Sequence, residues 1–132
     1  MSVIEVSDLA RLLLAVASDN GSIGATYEAD DGVEGGWSHK DFGRAIGRAV
    51  GRRVMTLATP RPLLAIAARF DRLVRGAGAK LTPDRVDYFC HPDWMIDPAT
   101  RPPPSLWKPI VETSSGLVAT ADWYRRKGWL KP

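Results

Sequence analysis

Apolar residues recur at three- to four-residue spacing in five stretches, and each stretch predicts a helix. Leu9, Leu12, Leu13, Val16 and Ala17 follow Ser7, whose hydroxyl suits a helix cap, and Gly21 supplies a stop. Phe42, Ala45, Ile46, Ala49 and Val50 lie on one face of a second helix opened by Ser38, with Asp41 three residues on in an approximate capping box. Thr59-Pro60 opens a third, with Leu63, Ile66, Ala67, Phe70, Leu73 and Val74 as its expected buried face and Gly76 as its end. Thr82-Pro83 begins a short fourth helix running through Val86 and Phe89. Ser115 caps the last, whose Leu117, Thr120, Ala121 and Tyr124 share a face before Gly128 closes it.

Between these helices the pattern changes. Val3 to Val6, Gly24 to Ala29 and Arg53 to Leu57 read as short strands, the second ending in the turn Asp30-Asp31-Gly32. Five prolines at 98, 102, 103, 104 and 109 forbid a continuous helix over residues 97–109 and favour an extended surface segment. The expected fold is α+β, mostly helical with a few short strands, in one domain spanning residues 1–132. Gly43, Gly47 and Gly51 recur every four residues, but inside a helix the backbone amides are already bonded, so they build no dinucleotide loop. Their spacing fits close packing of another segment against the helix.

Composition narrows the function classes. A chain of 132 residues with 45% hydrophobic and 25% charged residues is that of an ordinary globular protein, neither disordered nor fibrous. The apolar run Leu12 to Ala17 is too short to span a bilayer, and no signal-peptide pattern precedes it, so a cytoplasmic protein with no membrane partner is expected. Cys90 stands alone, which excludes an internal disulfide and suits a reducing compartment. A net charge of +3 implies no nucleic acid.

Several short motifs carry a family resemblance through their order. Glu5-Val6-Ser7-Asp8-Leu9-Ala10 is followed by Gly24 through the acidic turn at Gly32, then by Trp37-Ser38. His91-Pro92-Asp93, Asp97 and Leu106-Trp107-Lys108-Pro109 come next, and the chain closes on Thr120-Ala-Asp-Trp-Tyr-Arg-Arg-Lys-Gly-Trp-Leu130. In this order they resemble the C-terminal, substrate-binding portion of extended short-chain dehydrogenase/reductases, the NAD-dependent epimerase/dehydratase-like family. The resemblance implies the C-terminal part of a Rossmann-type enzyme without its dinucleotide-binding half, since the chain holds neither the glycine-rich loop nor the Tyr-x-x-x-Lys pair.

By the same resemblance, no cofactor belongs to this chain, NAD or NADP would serve a full-length parent, and the chain alone would be inactive. The partner it implies is an N-terminal Rossmann half or a second copy. The alternative is a stand-alone module that self-associates or binds a small molecule, with the fold kept and the catalytic half lost. His91 stands where sugar-nucleotide members commonly carry an arginine for the substrate diphosphate, which points away from a nucleotide sugar.

Candidate chemistry is sparse. Cys90 and His91 are adjacent and no second Cys or His cluster exists, so neither a metal site nor a Cys-His nucleophile is expected. Trp37 and Ser38 at one loop, and His91, Asp93 and Trp94 at another, combine aromatic surface with polar groups and are the expected substrate-binding residues. Trp123 and Trp129 flank a helix stop and are expected to anchor the tail to the core.

Overall fold

The computed structural model describes residues 1–91 and 93–130. Five α-helices form among them: α1 (Val6–Ser18), α2 (His39–Ala49), α3 (Arg61–Arg75), α4 (Pro83–Phe89) and α5 (Thr113–Arg126). Three short 3-10 turns occupy Asn20–Ser22, Gly76–Gly78 and Pro98–Thr100. The chain divides into two compact units, one of Met1–Thr56 with Met95–Pro132 and the other of Leu57–Trp94.

The α+β expectation is overturned, because no strand forms among the described residues and there is no Rossmann-like sheet. The three segments with strand-like composition find no ladder. Near the first, Val3 accepts one bond from the Asp31 amide at 2.8 Å, and Met1 accepts one from the Trp37 amide at 2.8 Å. Glu28, in the second, donates once to Thr100 at 3.1 Å. Isolated bonds of this kind fix a loop, whereas a strand needs a continuing series with one neighbour.

Helix starts differ in detail from the sequence pattern. Ser7 does not cap α1; Glu5 does, its carboxylate accepting from the amides of Ser7 at 2.7 Å and Asp8 at 3.3 Å. Ser38 caps α2 as expected, accepting from the Asp41 amide at 3.0 Å while its hydroxyl donates to the Asp41 carboxylate at 2.7 Å. Pro60 is the cap residue of α3, and Glu112 rather than Ser115 that of α5. Gly76 and Gly128 stop α3 and α5 with positive φ, a conformation glycine adopts without a Cβ penalty.

In the first unit α2 and α5 pack together around Ala45, Ala49 and Ala121, all buried. The α2 glycines have the expected packing role. A Cβ on Gly47 would meet the Arg52 carbonyl at 2.8 Å and the Val54 side chain at 2.7 Å, and one on Gly43 would meet Thr56 at 3.0 Å. The returning segment thus lies directly on the helix. The proline-rich stretch is no simple surface strap, since Pro102 and Trp107 are both buried.

The second unit is a helical hairpin. Ala65, Ala68 and Val86 line the seam between α3 and α4, and Ala68 and Val86 are sealed from solvent. The apolar stripe of Leu63, Ile66, Ala67, Phe70, Leu73 and Val74 is not the buried face; it is exposed throughout. Only seven residues of α4 are available to cover α3, and they cover the side bearing the small residues.

Candidate functional site

The five expected site residues fall in different units: Trp37 and Ser38 in the first, His91, Asp93 and Trp94 in the second. Trp37 is held by its neighbours. Its indole N–H donates to Asp31 Oδ2 at 2.7 Å, and its ring meets Phe42 edge-on with centroids 6.0 Å apart. With Ser38 engaged at the α2 cap, both side chains are already occupied in shaping the entry to that helix.

The other three residues form an open cluster at the end of α4. The Trp94 ring lies 4.5 Å from Tyr88 and 4.7 Å from His91, centroid to centroid, at tilts of 43° and 44°. The Trp94 indole donates to the Tyr88 carbonyl at 3.3 Å, and the Asp93 amide donates to His91 Nδ1 at 3.3 Å. Tyr88 and Trp94 stay exposed. Ring surface with an imidazole against it suits a flat or apolar ligand group offering hydrogen-bond partners. Tyr88 belongs to this cluster although its sequence position, inside a short helix, gave no sign of it.

Two polar locks in the first unit were also not expected. Asp8 is 1% exposed, and its carboxylate accepts from the amides of Ile110 and Val111, each at 3.0 Å, and from Arg11. Its carbonyl accepts from the Trp107 indole at 3.0 Å. Burial pushes the Asp8 carboxyl up, but Arg11 and the two amides outweigh it and hold the group below its ordinary value.

The second lock is the acidic turn. Asp30, also buried, accepts from Arg101 at 2.8 Å, the Gly32 amide at 3.0 Å and Ser2 at 3.2 Å, and this pairing raises the Arg101 pKa. Asp31 receives Trp37 and Thr113, and Glu28 receives the Asp97 amide at 2.7 Å and the Thr100 hydroxyl at 3.2 Å. A charge this well bonded is structural in character.

Two open depressions accompany these features. One in the first unit, about 340 Å³, is walled by Val3, Ile4, Val6, Phe42, Leu117 and Thr120; one in the second, about 400 Å³, lies between α3 and α4 beside the Arg61–Asp87 ion pair. No group of three or more His, Cys, Asp or Glu side chains among the described residues could hold a metal. No helix among them is long and apolar enough to cross a membrane.

Trp123 and Trp129 do not anchor the tail in the core. They pack on each other at 5.2 Å and on Tyr124, and all three rings are exposed. Trp107 is the tryptophan that is buried. Comparison with protein-family models, characterised proteins and solved structures finds no match to this chain.

Proposed function

We propose that this chain is the substrate-binding portion of an NAD(P)-dependent epimerase/dehydratase or reductase, completed by a dinucleotide-binding segment that carries the redox chemistry. The observation that supports it is how the resembling motifs meet. Asp8 of the N-terminal motif holds Trp107 and the two amides just after Pro109 in the Leu-Trp-Lys-Pro motif, 99 to 103 residues away. The acidic turn likewise holds Trp37, Arg101 and Thr113. Three pairs of motifs, each short and unremarkable in sequence, are joined by directed bonds, Asp8 with Trp107, Asp31 with Trp37 and Glu28 with Asp97, which supports reading the first-unit motifs as one unit.

On this reading the Tyr88, His91, Asp93 and Trp94 cluster contacts substrate, while Trp37 and Ser38 set the α2 entry. The test is calorimetric titration of the chain with NAD and with NADP, followed by a panel of ring-bearing alcohols and ketones. The expected outcome is silence with both nucleotides and a heat signal from the panel that His91→Ala and Trp94→Ala weaken at unchanged melting temperature. Tight binding of either nucleotide to the chain by itself overturns the reading, and so does a panel response indifferent to both substitutions.

A further inference from the structure

Within its own unit, the side of α3 turned away from α4 has no partner among the described residues. Leu63, Ile66, Phe70, Leu73 and Val74 are 57%, 61%, 67%, 82% and 66% exposed. At 3.6 residues per turn they fall within roughly a third of the helix circumference, forming one continuous convex strip. Scattered apolar residues on a surface are ordinary, but a contiguous strip marks an interaction site.

Charge selects the occupant. The helix carries Arg61, Arg69, Arg72 and Arg75 against Asp71 alone. Arg61 and Arg75 are paired with Asp87 and Asp71, whereas Arg69 has no ion-pair partner among the described residues. Arg69 lies three residues after Ile66 and four before Leu73, at the border between the strip and the α3–α4 groove, whose lining it also joins. On the other flank, Arg75 and Lys80 line the same shallow depression as Phe70 and Val74, together with Asp71, which pairs with Arg75 and leaves Lys80 as the net charge there.

An apolar helix face bordered by net positive charge is the arrangement that lies in an anionic lipid interface, with the rings and aliphatic groups in the acyl boundary and the cations at the headgroups. A second copy of α3 would instead oppose two helices of net positive charge. We infer that α3 docks this protein onto an anionic phospholipid surface. Lying on a bilayer requires no spanning helix, so the lack of one among the described residues leaves this inference open to test.

Sedimentation of the full chain with vesicles of phosphatidylcholine alone, or mixed with phosphatidylglycerol, tests it. The chain is expected to sediment with the mixed vesicles, to stay in solution with the neutral ones, and to be released by salt. The double variant Phe70→Ser with Leu73→Ser should bind at least roughly tenfold more weakly. The double variant Arg69→Gln with Lys80→Gln should lose roughly thirtyfold, about fivefold per cation. The second variant leaves the apolar strip untouched and decides the matter if the first misfolds by circular dichroism. No sedimentation with mixed vesicles, equal binding to both kinds, or insensitivity to the charge variant would each overturn the inference. A dimer in light scattering that Leu73→Ser dissociates would overturn it in favour of a second copy.

Discussion

Asp8 and Asp71 each accept two successive backbone amides, and each has an arginine on a neighbouring turn of its own helix. Asp8 receives Ile110 and Val111 and pairs with Arg11; Asp71 receives Lys80 at 2.7 Å and Leu81 at 2.8 Å and pairs with Arg75 at 3.3 Å. The side chain of the first is 1% exposed and that of the second 18%. Asp8 ties together segments about a hundred residues apart, while Asp71 closes a turn nine and ten residues downstream. The same bonding pattern therefore serves as a long-range lock in one unit and a local clasp in the other. The first unit can fold only when its distant parts meet, whereas the hairpin of α3 and α4 is specified almost entirely by neighbours.

The comparison is broken most directly at Asp8. Asp8→Ala leaves two buried amides and Arg11 without their acceptor, and should lower the unfolding free energy by roughly 3 kcal/mol in urea titration. A loss under about 1 kcal/mol would show that the lock is dispensable. Next in size is Ala68→Leu, which forces extra volume into the α3–α4 seam where Ala68 is 1% exposed; overpacking there should cost roughly 2 kcal/mol. Hydrogen exchange should place that loss in α3 and α4, with the amides of Ile110 and Val111 still protected.

Acid sharpens the same contrast. The folded Asp8 pKa lies below its ordinary value, so the folded state gives up stability as it is forced to take the proton. The contribution is complete above the unfolded carboxylate value of about 3.9 and disappears as pH falls through the lowered folded value. Asp71 is also lowered, chiefly by the Leu81 amide, but it is only partly covered and clasps a single local turn, so it adds less. Acid unfolding followed by tryptophan fluorescence should flatten in Asp8→Asn and stay nearly unchanged in Asp71→Asn.

The helices were largely legible in the sequence because their information is local. Ser38 with Asp41, Thr82-Pro83, Gly76 and Gly128 mark termini by chemistry that acts within a few residues. The strands were misread for the complementary reason: Val3 to Val6 has strand composition, but pairing is a property of a neighbour, and none is present among the described residues. The buried face of α3 was misread because periodicity locates an apolar stripe without saying whether anything covers it. At the candidate site, Trp37 and Trp94 were identifiable as aromatic residues near loops. That Trp37 is tied down by Asp31 while Trp94 stacks openly on Tyr88 depends on contacts no spacing reveals. Asp8 was read only as part of a motif, although a lone aspartate just inside a helix start beside a later Trp-x-Pro was the available signal.

The smallest expected effect falls on the clasp itself. Asp71→Asn keeps the side chain's size but replaces a charged acceptor with a neutral amide oxygen, weakening the bonds from Lys80 and Leu81 and ending the ion pair with Arg75. Because the group is partly exposed and the asparagine oxygen can still accept, the loss stays local, and the global unfolding midpoint should move little. The Leu81 amide should exchange faster, together with the first turn of α4, while the amides held by Asp8 keep their rates. Faster exchange at Ile110 and Val111 in this variant would show that the two units share one cooperative transition, and would end the distinction between a lock and a clasp.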